Sequence, residues 1–182
     1  CFLRIIRINS RPIFKMIAQN LARLKDKIEE TCKQSGRKPD EVKLIAVSKY
    51  FGLDTIIEAK NCGLRDFGEN RAQELTLKFE KLGNAVTWHF IGTLQKNKVK
   101  YAVKAAELIH SVDSLELVDE INLKAEKLGK VQKILLEVKT SEEETKSGLE
   151  TENEILSLVT RCSELKSIEL KGGVIQYAIR RV

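Results

Sequence analysis

Apolar residues along the chain recur at two spacings. They first fall at Ile17, Leu21, Leu24, Ile28 and Cys32, one face of an amphipathic helix, which Gly36 and Pro39 then stop. The run VKLIAV over 42–47 is short, apolar and rich in branched residues, and it predicts a buried strand. The same alternation then repeats. A helix over 54–62 precedes a strand over 65–67, and a helix over 71–82 precedes a strand over 86–91. A helix over 97–106 leads to a strand over 108–112, and a helix over 115–128 to a strand over 134–138. A polar loop, a helix over 152–163 and a strand from about 168 complete the pattern. Alternation of this kind predicts an α/β fold of parallel strands joined by helical crossovers.

Two architectures fit, an open doubly wound sheet and a closed (β/α) barrel. The sheet would favour a glycine-rich phosphate loop after the first strand, where the chain offers Ser48-Lys49-Tyr50 instead. A complete barrel needs eight strands and about 250 residues. Six strands in 182 residues leave the choice between an open sheet and a barrel cut short.

Composition narrows the function classes. With 42% hydrophobic and 32% charged residues, ten glycines and two prolines, the chain is neither collagen-like nor wholly disordered. It has no apolar stretch of the roughly 18 residues that a membrane span requires. The net charge of +6 resides in the ends: residues 1–15 carry four bases and residues 171–182 three, with no acid in either. The remaining 25 bases face 26 acids, so no basic face for nucleic acid is expected. Cys1, Cys32, Cys62 and Cys162 are too scattered for a zinc site, and a reducing compartment is expected.

Reactive groups of parallel α/β folds gather at the C-terminal ends of strands. Lys49 ends an apolar strand with no acid beside it. Partial desolvation there would lower its pKa and make the neutral amine a nucleophile toward aldehydes; the bland alternative is a lysine snorkelling to the rim. Asn70 either donates to a ligand or caps the helix that starts at Arg71. His89 is either a bonded wall residue or a ligand contact. The acidic loop over 140–149 is long for a strand–helix connection and carries Lys146-Ser147-Gly148.

The order of these signals is specific. VKLIAVSK, DFGENRAQE, WHFIGTLQKNK, IHSVDS and SEEETKSG, met in succession, resemble the pyridoxal phosphate homeostasis protein family, single-domain relatives of the alanine racemase N-terminal barrel. The resemblance implies a (β/α) TIM-type barrel with an added N-terminal helix, of which about six of the eight strands are present. It implies pyridoxal 5′-phosphate (PLP) held as a Schiff base on Lys49, with Asn70, His89 and Lys146 on the cofactor side. It also implies intracellular PLP homeostasis without turnover, no metal and no catalytic residue, and apo-enzymes that require PLP as partners. The alternative is a PLP-dependent racemase-like enzyme acting on amino acids, but Tyr50, Tyr101 and Tyr177 match no motif for a catalytic base.

The ends depart from this pattern. Residues 1–15 are read as a non-family extension, either frame sequence upstream of Met16 or a mitochondrial presequence, the protein otherwise being cytoplasmic. Residues 16–172 form the partial barrel and residues 173–182 a divergent tail. A family-like monomer is expected, with exposed barrel edges that would favour association and poor solubility.

Overall fold

The computed structural model describes residues 11–139 and 148–175, with side chains over 15–139 and 148–174. The chain divides into two units, Cys1–Arg65 and Asp66–Val182.

The first unit contains α1 (Arg11–Gln34), β1 (Ile45–Val47) and α2 (Leu53–Asn61). Helix α1 starts five residues before Met16, inside the stretch assigned to the extension. Pro12 lies in its first turn, where a missing N–H costs nothing and φ is already helical. Leu21 and Cys32 of the expected apolar face are buried, but Leu24 is exposed. Strand β1 is shorter than the apolar run 42–47, and its Val47 is exposed rather than buried.

The second unit alternates β2 (Asp66–Glu69), α3 (Ala72–Leu82), β3 (Thr87–Phe90), α4 (Val99–Ala105), β4 (Leu108–Val112), α5 (Leu115–Lys127), β5 (Gln132–Val138), α6 (Glu152–Glu164) and β6 (Ile168–Ile175). Its five strands pair in parallel in chain order, with Phe67 opposite Trp88, Gly68 opposite His89 and Ile109 opposite Ile134. The register shifts between Ile109 and Val112 in the β4–β5 pairing, and again between β5 and β6, where Ile134 faces Leu170 but Leu136 faces Gly173. Gly172, at φ +130°, takes the extra position of that bulge. Strand β6 therefore crosses the boundary drawn at residue 172.

The core lies between sheet and helices. Phe67, Trp88, Phe90, Ile109 and Ile134 are buried there with Leu75 of α3, Val99 and Val103 of α4, and Val118 and Ile121 of α5. Thr76 joins two helices, its hydroxyl donating to Ala72 O at 3.0 Å or Tyr101 O at 3.1 Å. Helix α4 ends without a glycine. Its terminal carbonyls are met by Lys130, whose Nζ donates to Val103 O at 2.9 Å and Ala106 O at 3.1 Å. Burial lowers the pKa of this ammonium. Helix α6 starts in a capping box: Thr151 Oγ1 accepts from the Glu154 N–H, and Glu154 accepts from the Thr151 N–H.

Replacing Lys130 by Met keeps the stem and orphans both carbonyls. Chemical denaturation should show a loss of about 2 kcal/mol, the cost of losing charge-assisted bonds to buried acceptors.

Candidate functional site

The C-terminal end of β1 turns sharply. The Phe51 N–H donates to Ser48 O at 3.0 Å, which closes a four-residue turn with Lys49 and Tyr50 at its centre. Tyr50 has φ +71°, a left-handed conformation that costs a non-glycine residue of order 1 kcal/mol or more. Ser48 is buried and Lys49 half-buried, while Tyr50 lies 86% exposed with Lys49 Nζ 5.7 Å from its ring centroid. The strand thus delivers Lys49 at a turn held in an unfavourable backbone state.

The loops after β2 and β3 are locked together. The Ile91 N–H donates to Glu69 O at 3.0 Å, and a Cβ on Gly92 would lie 2.3 Å from Asn70 O. Only glycine lets the two backbones approach so closely. Glu69 is fully buried and ion-paired with Lys78 of α3, Oε1 to Nζ 2.6 Å. Asn70 is not the cap of α3: Arg71 occupies that position and makes no side-chain cap bond. Among the described residues the half-buried Asn70 amide forms no hydrogen bond, which leaves it available to a ligand.

His89 has both ring nitrogens engaged. Nε2 lies 2.9 Å from Asp66 Oδ1, and Nδ1 lies 3.0 Å from His110 Nε2. The sequence singled out His89 alone; Asp66 and His110 join it because β2, β3 and β4 are neighbours. Burial, aided by His89, lowers the pKa of His110 to about 4.

At the end of β5, Leu149 bridges back to Val138, with its N–H donating to Glu137 O at 2.8 Å. A Cβ on Gly148 would lie 2.9 Å from Lys139 N, so this return also requires glycine. Lys139 pairs with Glu150, Nζ to Oε1 2.6 Å. Lys146, the fourth expected site residue, lies outside the described residues. Glu137 was not anticipated: it is 4% exposed, its Oε2 is buried without a partner, and burial plus Asp113 push its pKa up. Among the described residues no group of three or more His, Cys, Asp and Glu could hold a metal ion, and no helix is long and apolar enough to cross a membrane.

The histidine chain gives a signed pH prediction. The unfolded chain binds a proton at His110 near pH 6.5, whereas the folded chain resists it until about 4. Stability is therefore full above pH 6.5 and falls toward pH 4. The loss is at most about 1.4 kcal/mol per pH unit across that window, reduced by solvent screening at the half-buried ring. Denaturation of the His110→Gln variant across this range should lack that component.

Comparison with known proteins supplies the family. Residues 19–177 match the model of the alanine racemase N-terminal domain. The pyridoxal phosphate homeostasis protein of Aquifex aeolicus is 42% identical over 155 residues, which cover 85% of this chain and 68% of that relative. A crystal structure of an unknown protein from Bifidobacterium adolescentis superposes with TM-score 0.85 at 31% identity, covering 94% of this chain and 73% of that one. PipY of Synechococcus elongatus PCC7942, solved with PLP bound, superposes with TM-score 0.75 at 33% identity, covering 91% and 72%. The fold class is accordingly the (β/α) barrel of the alanine racemase N-terminal kind, and the chain belongs to the pyridoxal phosphate homeostasis protein family.

Proposed function

We propose that this chain binds pyridoxal 5′-phosphate and serves intracellular PLP homeostasis, with Lys49 holding the cofactor covalently and no turnover of its own. The observation that carries the reading is Lys49 itself, a half-buried primary amine at the end of β1 in a turn strained at Tyr50. When bound, the cofactor supplies an aldehyde, the group with which such an amine condenses. The unspent amide of Asn70 fits a polar ring substituent. The Gly92–Asn70 contact fixes the Asn70 backbone, from which that side chain projects, before any ligand arrives. Lys146 enters the proposal through the KSG motif alone. His89 acts through its bonded neighbours, since both its nitrogens are engaged.

The names of the relatives favour a carrier over a racemase-like enzyme. Turnover would need a positioned base beside the cofactor. Tyr50 is 86% exposed, and Tyr101 sits with its ring 6.0 Å from Lys98 Nζ and 5.0 Å from Lys100 Nζ, on the helical layer. The described cysteines Cys32, Cys62 and Cys162 are free thiols, which suits the reducing cytoplasm. PLP-requiring apo-enzymes are the natural recipients of a cofactor held this way.

PLP titration with borohydride trapping and peptide mass mapping tests the proposal. A single adduct on Lys49, absent from Lys49→Ala, is the expected result. Adducts spread over surface lysines in both proteins would refute it, and steady turnover of an amino acid would refute the carrier role. Gly92→Ala should weaken PLP about tenfold, equivalent to about 1.4 kcal/mol, because it displaces Asn70.

A further inference from the structure

Asp66, His89 and His110 come from three adjacent strands and share one face of the sheet. That face follows from their neighbours. Phe67 and Trp88 are in ring contact at 6.2 Å, Trp88 Nε1 donates to Gly83 O at 3.2 Å, and Glu69 pairs with Lys78 of α3. These residues point to the helices, so Asp66 and His89 point away from them. Strand β4 is bulged between Ile109 and Val112, so alternation does not place His110; its direct contact with His89 does, and puts the two rings on one face. The two imidazoles meet edge to face, with centroids 5.2 Å apart. Gly68, the register partner of His89, contributes no side chain between His89 and Asp66.

Polarity passes along this chain one bond at a time. The Asp66 carboxylate can only accept, so His89 Nε2 carries the proton and donates. In the uncharged state of the rings, His89 Nδ1 is then an acceptor, and His110 Nε2 donates to it. That leaves His110 Nδ1 bare. Every other link is occupied, yet among the described residues His110 Nδ1 makes no hydrogen bond, and its ring is half-buried where His89 is 2% exposed. A network serving the core alone would close on itself, because an open polar end is costly. The lowered pKa of His110 keeps this end an acceptor through the physiological range.

We infer that His110 is a ligand-binding residue whose Nδ1 accepts a hydrogen bond from an O–H or N–H group of the bound pyridine compound, and that Asp66 sets its polarity through His89. The assignment rests on the PLP reading above. Asp66 and His89 are positioning residues: they touch no ligand and decide which His110 nitrogen carries the proton. His110 itself neither gains nor loses a proton in this contact.

The polarity can be inverted. In Asp66→Asn the side-chain amide donates to His89 Nε2, the proton of His89 moves to Nδ1, and His110 is left with Nδ1–H as a donor. Nitrogen-15 NMR of the histidine rings at pH 8, where ordinary imidazoles are neutral, reads this directly in the full chain. The unaltered protein should show His110 bare at Nδ1, and Asp66→Asn should show it protonated there. PLP affinity by absorption titration should fall about tenfold in Asp66→Asn and in His110→Phe. His110→Gln, which keeps a carbonyl acceptor, should recover much of it, and Lys49 should still be labelled at saturation in all three. Unaltered PLP affinity in folded His110→Phe, or an unchanged His110 tautomer in Asp66→Asn, would overturn the assignment alone. Should the unaltered chain take up no PLP, the cofactor reading falls and this assignment with it, even with the tautomers as described.

Discussion

A parallel strand sends successive side chains to opposite faces, and in the second unit the contact of Phe67 with Trp88 decides which face is which. Both aromatic rings are buried against the helical layer, and burial of side chains this size dominates the local energetics. With Phe67 and Trp88 committed to the helices, Asp66, Gly68 and His89 must face the other way, in fixed register. A one-residue slip of β2 would carry Asp66 into the apolar layer, and one of β3 would carry His89, each burying a polar group away from its partner at substantial cost. The polar chain Asp66–His89–His110 is thus a consequence of where the apolar residues go.

The same division explains the rim. Glu69, next on the helical face, is too polar to be buried alone and is held by Lys78. Its carbonyl takes the Ile91 N–H, which draws the β2 and β3 loops together until Gly92 rests on the Asn70 backbone. Asn70 is positioned by the backbone, and its side chain remains unspent for a ligand. In the first unit the strained turn at Tyr50 performs the equivalent task for Lys49. At the end of β5, Gly148 lets the chain return against Lys139. Each candidate loop is fixed by a close backbone approach or an unfavourable φ, and rigid placement of this kind reduces the ordering cost of binding.

Most of the element order was legible because hydrophobic periodicity and glycine stops are local signals. The strand over 108–112 matches β4 residue for residue, and the helix over 152–163 differs from α6 by one position. Boundaries moved where tertiary context decides. Strand β1 shrank from the apolar run 42–47 to Ile45–Val47, α1 gained its first turn from Pro12, and β6 ran through the glycine bulge at Gly172. Lys49 and Asn70 could be found as chemistry at strand ends. His110 and Asp66 could not, since nothing along the chain says that residues 66, 89 and 110 meet; only strand adjacency does. Glu137 was hidden for a similar reason, because its burial depends on the return of Leu149 against β5.

One amine, that of Lys49, carries the cofactor reading. A crystal structure of the full chain grown with PLP tests it most directly. Electron density running without a break from Lys49 Nζ into the cofactor is the predicted result, with the Ser48–Phe51 turn retained. Cofactor joined to a different lysine, or a Lys49 left bare at saturating PLP, would contradict it.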